Sequence, residues 1–303
     1  MKIGVCSRSF SNNADLVNLL KKYFKNIKLN KSSRLNGTKL IKFLKDCDVA
    51  IVGLEKINKN ILENCYKLKF ISKFGVGLDN LDFYQLKKFK IGVGFSKNLN
   101  SESVTDLVIL AMLYKIRLFK SNLDNAKNFK WKPNIGENLS SKKIGIIGYG
   151  NIGRLLYRKL KSFCPQIYVN EINKKKMVGD INFKSKSFIF ENCDIISLNT
   201  DLNIKTKNMI NKKTLSKMKK NCLIINTSRG EVINESHFYE HLTRNPNFNC
   251  FLDVMANEQI LNKKLIKLDN VCITPHIGGS TSASIKKMGL ASIKKVLNYV
   301  ERK

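Results

Sequence analysis

Long apolar runs are missing from this 303-residue chain. No stretch approaches the roughly 20 residues needed to cross a bilayer. The opening MKIGVCSRSF has a single lysine and no extended apolar segment of the secretory kind. Both absences point to the cytoplasm. No C-x-x-C pair occurs among the eight cysteines, and there are only three histidines. Such scattered groups make no metal-ligand cluster, so no metal is expected. Cys222 in NCLIIN and Cys272 in NVCITP lie in apolar runs. They read as small buried hydrophobes in a reducing compartment.

Acidic residues are scarce as well. Asp and Glu number 23 against 55 Lys and Arg, a net charge of +32, and arginine supplies only eight of the cations. A nucleic-acid module would gather its charge on one element and interleave aromatics. Here lysine is spread along the whole chain, and runs such as 174–176 and 219–220 read as solvated surface. Specific nucleic-acid binding is therefore not expected, although the charge would draw in anionic metabolites. Internal repeats and low-complexity linkers are absent too.

What is present is an alternation of short apolar runs with helix-like stretches. The runs fall at 3–6, 49–52, 70–72, 144–147, 167–169, 195–198, 223–226, 251–253 and 271–274. Each is about four residues long and continuously apolar, as strands are when helices cover both faces. The pattern predicts an α/β protein with one or two parallel sheets. A long apolar helix is expected over 100–118, with Ser101 or Ser103 as its cap and Glu102 and Asp106 near its positive end. It reads as a bridge between two domains, followed by a loop-like stretch at 128–141. After 280, Ile285, Met288, Ile293, Val296, Leu297 and Val300 fit one face of a terminal helix. Such a helix would pack back on the first domain. The expected division is residues 1–98 plus 277–303 as one domain and 99–276 as the other.

The strongest local signal is KKIGIIGYGNIGRLLYRKL. A strand runs into Gly148, Gly150 and Gly153, and a helix follows. Gly148 permits the tight turn, Gly150 lets backbone approach a pyrophosphate, and Gly153 lets helix and strand pack closely. The next strand leads to Glu171, 18 residues after Gly153. An acid there accepts hydrogen bonds from the adenosine ribose and repels a 2′-phosphate, which favours NAD over NADP. The lysines at 174–176 argue the other way with less force.

Three more stretches, INTSRGEVI, FLDVMANEQ and VCITPHIGG, each end a predicted strand. The carboxyl ends of parallel strands face the ligand crevice. Arg229, Asp253, Glu258 and His276 all lie at or just past such ends. These residue types suit the oxidation of a 2-hydroxy acid. Arg229 would bind the substrate carboxylate and polarise the carbonyl oxygen. His276 would take the hydroxyl proton in oxidation and return it in reduction. Glu258 beside it would stabilise the imidazolium. His237 and His241, four residues apart in a polar helix-like stretch, read as surface.

Taken together, the chain resembles the D-isomer-specific 2-hydroxyacid dehydrogenases, nearest to the branch that oxidises phosphoglycerate. The resemblance runs over nearly the whole length: ISKFGVGLDNLD at 71–82, NSESVTDL at 100–107, IGIIGYGNIG at 144–153, DIISLNTDL at 194–202, LIINTSRGEVIN at 223–234, LDVMANE at 252–258 and ITPHIGGST at 273–281. It implies two doubly wound domains, a Rossmann NAD-binding domain inserted into a flavodoxin-like substrate domain. It implies that Arg229, Glu258 and His276 are the catalytic trio and that Asp253 contacts the nicotinamide carboxamide side. Gly148, Tyr149, Gly150, Asn151 and Ile152 would hold the pyrophosphate and Glu171 the ribose. Thr227 and Ser228 would line the coenzyme site. Lys73, Phe74, Gly75, Val76 and Gly77 match the family's substrate loop, and Asn100 its substrate-side Asn. A homodimer through the NAD domain is also implied.

The chain departs from the family pattern at a few places. Asn199 and Asp201 stand where a His and a Pro are usual, Asn199 next to the coenzyme. Gln259 replaces the Pro after the catalytic Glu, and FSKNLN replaces a Pro-containing turn before Asn100. The arginine that some phosphoglycerate enzymes use for the phosphate is not evident in VGLEKINKN, which leaves Lys56 or Lys73 to serve. The sequence ends at Lys303 without the regulatory domain of longer members, so no serine feedback through such a domain is expected. The resulting expectation is oxidation of 3-phosphoglycerate to 3-phosphohydroxypyruvate, as in serine biosynthesis. Glycerate, lactate or another 2-hydroxy acid stands behind it, and an NAD-responsive binding protein without turnover is the reading of another class.

Overall fold

A computed structural model describes residues 1–173, 180–258 and 260–302. The lysines at 174–176 and Gln259, both singled out above, lie outside the described residues. The chain divides into two compact units: Met1–Asn100 together with the chain from Gly279 on, and Ser101–Gly278.

The first unit holds five parallel strands: β1 Ile3–Val5, β2 Ile27–Leu29, β3 Val49–Val52, β4 Phe70–Lys73 and β5 Gly92–Gly94. Their order is β2-β1-β3-β4-β5, the flavodoxin-like order. Strands β1, β3 and β4 are buried throughout, because each is paired on both sides and covered on both faces. One face packs Leu40, Leu44, Ile61 and Leu62; the other packs Phe10, Leu16 and Leu20. The terminal helix Ser282–Glu301 contributes Met288, Ile293 and Val296 to that second face. Ser72 Oγ donates to Ser292 O at 2.8 Å and Ser292 Oγ to Lys73 O at 3.0 Å. Gly289 sits so close to Leu16 that a Cβ would lie 2.2 Å from its Cδ1.

Strands β2 and β5 were not expected from the sequence. Both are sheet edges of three residues. β2 is only half-buried and carries a lysine, and β5 reads GVG, so neither has the continuous apolar run of a covered strand.

The second unit holds β6 Ile144–Ile147, β7 Ile167–Asn170, β8 Ile195–Leu198, β9 Leu223–Asn226, β10 Asn249–Leu252 and β11 Val271–Ile273, all parallel. Their order is β11-β10-β9-β8-β6-β7. A single parallel bridge, Val169 to Phe183, adds a rudimentary strand beyond β7. With it the sheet contains the 3-2-1-4-5-6 order of a Rossmann domain, and β11 adds a seventh strand beyond β10. The switch point lies between β6 and β8, where two chain directions diverge and leave a crevice.

The helix Ser101–Ile116 belongs to this second unit and buries Val104, Leu107, Val108, Ala111 and Met112. Ser103 donates to Gly278 O at 2.5 Å instead of capping the helix. At Leu118 the backbone turns left-handed (φ +49°), which stops that helix and starts a further one, Phe119–Lys127, with no buried residue. The helix expected over 100–118 thus ends at Ile116, and the helix Phe119–Lys127 was not singled out from the sequence. Among the described residues no helix is long and apolar enough to cross a membrane. All eight thiols are free, seven of them buried. Burial pushes the Cys193 thiol up to about 12. It stays protonated and inert at neutral pH.

Candidate active site

The dinucleotide loop opens at the C-terminal end of β6. Gly148 has φ +97°, and a Cβ there would stand 2.4 Å from Asn199 O. Only glycine fits both the conformation and the space. A Cβ on Gly153 would meet Gly148 O at 2.0 Å, so the helix Asn151–Leu160 begins directly against the turn. Gly150 is the N-cap of that helix, with no side-chain capping bond and nothing within 4 Å of where its Cβ would be. The N–H groups of the first helical turn thus have no capping side chain, and the space beside Gly150 is open, which suits a phosphate.

Two buried atoms beside this loop, Asn199 Oδ1 and Thr200 Oγ1, have no hydrogen-bond partner in the protein. Buried polar groups are rarely left so, and a polar ligand at the switch point would satisfy them. The cradle thus fits a dinucleotide. Asn199 holds its amide by donating to Ser197 O and Oγ. The ring of Tyr149 turns inward, edge-on to Tyr157 and Phe183, which leaves only its main chain at the loop. Asn151 and Ile152 form the start of the helix.

Glu171 stands one residue past β7. Its Oε2 accepts from Tyr149 N at 3.0 Å, and its Oε1 from Ile172 N and Asn173 N at 2.9 and 2.8 Å. The carboxylate is pinned at the rim of the glycine loop, where the sequence placed the ribose. Replacing Glu171 with Ala is expected to weaken NADH binding about 10-fold, the worth of a charged hydrogen bond, and to narrow the preference over NADPH. Fluorescence titration of both coenzymes checks this; equal affinities in the unaltered protein would contradict the assignment.

The candidate catalytic residues follow three neighbouring strands, β9, β10 and β11. Their backbones are tied in sequence: Asp253 N donates to Asn226 O and His276 N to Asp253 O, both at 2.9 Å. Past β9, the buried Asn226 side chain accepts from Ser228 N and Oγ and donates to Arg229 O at 2.8 Å. Thr227 and Ser228 are thereby fixed beside Arg229, whose Nη1 donates to Ser228 O. Gly230 lies against the backbone after β10, where a Cβ would be 1.9 Å from Met255 C. That close approach sets the Arg229 loop on the segment leading to Glu258. His276 Nδ1 and Glu258 Oε1 are 2.6 Å apart, with both side chains about a quarter exposed. With Glu258 ionised the shared proton sits on Nδ1, so Nε2 remains for a substrate. Asn226, Thr200 and Thr274 were not singled out from sequence; only their places at strand ends mark them.

The expected substrate residues lie in the first unit. Phe74 N donates to Val52 O, and the Phe74 ring packs edge-on against Phe10. Gly75 has φ +128°. It opens a bend whose next residues, Val76 and Gly77, are half-buried. Asn100 Oδ1 is buried without a protein partner. Lys73 differs from expectation. It is 3% exposed, and its Nζ donates to Gly53 O and, at 2.7 Å, to Asn80 Oδ1. The ammonium therefore bonds within its own unit, whereas Lys56 is exposed. Among the described residues no group of three His, Cys, Asp or Glu is placed to hold a metal.

The reading of His237 and His241 as surface needs correction. Both are half-buried, and His237 Nδ1 and His241 Nε2 are enclosed without a partner. His241 packs edge-on against Phe248 at 4.6 Å, and burial lowers its proton affinity.

Comparison with known proteins agrees with this layout. The family model for the D-isomer specific 2-hydroxyacid dehydrogenase, NAD binding domain, matches residues 108–278. The chain is 31% identical over 271 residues to a hydroxypyruvate reductase of Thermotoga maritima, covering 88% of this chain and 89% of the relative. It is 33% identical over 278 residues to a D-3-phosphoglycerate dehydrogenase of Methanocaldococcus jannaschii, covering 87% of this chain and 52% of that longer relative. A crystal structure of a phosphoglycerate oxidoreductase from Vibrio cholerae O395 shares the fold, with a TM-score of 0.89 over the full length of both chains at 24% identity.

Proposed function

The chain belongs to the D-isomer-specific 2-hydroxyacid dehydrogenase family, and from that premise we propose that it interconverts a three-carbon D-2-hydroxy acid and its 2-oxo acid, with 3-phosphoglycerate as first candidate. The observation that carries the chemistry is the Glu258–His276 pair at 2.6 Å beyond the strand ends. In oxidation His276 Nε2 takes the hydroxyl proton of the substrate. Glu258 holds the Nδ1 proton and stabilises the imidazolium that results. Arg229 grips the carboxylate and draws electron density onto the carbonyl oxygen as it forms. Bound NAD supplies the hydride acceptor. In reduction His276 gives the proton back to that oxygen. In the first unit, the backbone N–H groups at 75–77 and the orphaned Asn100 Oδ1 are groups for substrate binding.

A net charge of +32 favours a multiply anionic substrate such as a phosphorylated glycerate, and hence a place at the entry to serine biosynthesis. The commitment of Lys73 to Gly53 and Asn80 supports a second reading, hydroxypyruvate and glycerate without a phosphate. NADH oxidation with 3-phosphohydroxypyruvate, hydroxypyruvate, glyoxylate and pyruvate separates them. A higher kcat/KM for the phosphorylated acid supports the first reading and a higher value for hydroxypyruvate the second. No turnover of any would sink both and leave a coenzyme-binding protein. The buried free thiols fit a reducing compartment such as the cytoplasm.

The second unit also exposes Leu118, Phe119, Leu123, Phe129, Trp131 and Ile135, the last-named aromatics and Ile135 more than nine-tenths exposed. So many large apolar side chains on and after one unburied helix mark a protein interface, which we assign to a second copy of the chain. Sedimentation is expected to show a dimer that the double change Phe129→Glu, Trp131→Glu converts to monomer. A monomeric unaltered protein at micromolar concentration would refute it.

A further inference from the structure

Asn226 ends β9 and is 0% exposed, a polar residue at the close of the apolar run LIIN. Burying an amide is costly unless it is hydrogen-bonded. The bonds of this one run forward along its own loop. Its Oδ1 accepts from Ser228 N at 3.0 Å and from Ser228 Oγ at 2.7 Å, and its Nδ2 donates to Arg229 O at 2.8 Å. The bond to the N–H two residues on makes an Asx-turn. The same side chain thus accepts at one residue and donates at the next. An amide does both at once, whereas a carboxylate would set a second acceptor against the Arg229 carbonyl.

Behind Asn226 the frame is rigid. It pairs with Leu198 on one side and Leu252 on the other, and its carbonyl accepts from Asp253 N at 2.9 Å. In front, residues 227–229 lead directly into the short helical turn Gly230–Val232. Gly230 is pressed on Met255, so the far end of the loop is fixed too. Arg229 lies between the two holds in an extended conformation (φ −141°, ψ +143°). Its side chain turns back, and Nη1 donates to Ser228 O at 2.7 Å. The residue that orients Nη1 is therefore the one whose N–H and hydroxyl Asn226 holds. Order passes from the sheet to Asn226, from Asn226 to Ser228, and from Ser228 to the guanidinium. A planar fork needs such order, because it grips a carboxylate through two parallel bonds.

We propose that Asn226 is a positioning residue for Arg229: its amide ties the loop 227–229 to the sheet and so aims the guanidinium at the substrate carboxylate. This rests on the assignment of Arg229 to that carboxylate. Asn226 acts on the 2-oxo acid through Arg229, and not on NADH binding.

The test is a double-mutant cycle on the holoenzyme, with Asn226→Ala and Asn226→Asp made in the unaltered protein and in Arg229→Gln. Ala removes both holds on the loop. Asp has the same shape and keeps the bonds from Ser228, but loses the donor to Arg229 O. With the better of 3-phosphohydroxypyruvate and hydroxypyruvate, Asn226→Ala is expected to lower kcat/KM by about 10²-fold, the scale of a positioning group misplaced by about 1 Å. Asn226→Asp should lower it by about 10-fold or more, the worth of the lost bond. In both, KM for the oxo acid should rise and NADH Kd stay within about 3-fold. In the Arg229→Gln background either change should cost less than about 2-fold further, because the group it aims is gone. If Asn226→Ala does not fold, Asn226→Asp decides on the same cycle. An equal fall in both backgrounds would overturn the proposal, since the effect would then not pass through Arg229. So would lost thermal stability with kcat/KM unchanged, which marks a merely structural role. NADH bound 10-fold more weakly, with kcat/KM preserved at saturating coenzyme, would overturn it in favour of a coenzyme role. Full activity of Arg229→Gln, or an unaltered protein without turnover, would instead refute the assignment of Arg229 and the proposal with it.

Discussion

Replacing His276 with Asn is expected to lower kcat by about 10³-fold, or about 4 kcal/mol of transition-state stabilisation, while NADH binds nearly as before. The effect is large because the side chain both moves the proton and stands at 2.6 Å from the carboxylate that stabilises its charged form. No other histidine can substitute: His237 and His241 sit in the helix Glu235–Arg244, between β9 and β10 in sequence, each with one ring nitrogen enclosed by protein. The choice of Asn follows from the backbone. His276 is left-handed, and Asn tolerates that region better than other residues with a Cβ. Ala would remove the imidazole too but add about 1 kcal/mol of strain, which mixes a folding effect with the chemical one. Single-turnover kinetics with NADH and a 2-oxo acid, alongside coenzyme titration, separate the two. A variant keeping most of its rate would remove His276 from the mechanism.

Arg229→Gln carries the second large effect. Gln matches much of the length but loses the charge and the planar fork that grips a carboxylate. A fall in kcat/KM of about 10³-fold is expected, with KM for the oxo acid raised and NADH affinity unchanged. Arg229→Lys should recover only a small part, since a point charge cannot bind both carboxylate oxygens in plane. The neighbours of Arg229 make the change interpretable. Its carbonyl is held by Asn226 and its loop by the contact of Gly230 with Met255, neither of which depends on the guanidinium. Steady-state kinetics over a range of oxo acid concentrations provides the check. An equal loss on an aldehyde lacking the carboxylate would contradict the assigned role.

The parts of the molecule most legible in sequence are those where a local requirement leaves one residue type. Gly148 and Gly153 are needed because Asn199 O and Gly148 O occupy the space of a Cβ, and the strand before them and helix after them have their own periodicity. The central strands were legible for a related reason: burial on both faces demands a continuous apolar run, as in VAIV and IGII. Edge strands escape that demand, so IKL and GVG gave no signal.

Partnerships made by folding were harder to see. Lys73 looked available for a phosphate because Gly53 and Asn80, which take its ammonium, are 20 and 7 residues away. His237 and His241 looked solvated in a polar stretch. Each immediately precedes a core residue, Phe238 or Leu242, so the pair lies at the margin of the buried stripe. That i, i+4 relation was available from the sequence and is the better guide. Nothing in the primary structure indicates that the Asp253 carboxylate would accept from Thr274, Ile277 and Gly278.

The central claim is hydride transfer to the carbon next to a carboxylate, with D stereochemistry. The most direct measurement is the fate of the label from NADH deuterated at the transferring position, with hydroxypyruvate or 3-phosphohydroxypyruvate as acceptor. One deuterium at C2 of a D-2-hydroxy acid is expected, formed by the unaltered protein and about 10³-fold more slowly by His276→Asn. Product without deuterium at C2, product of L configuration, or coenzyme binding with no product from any 2-oxo acid would contradict it.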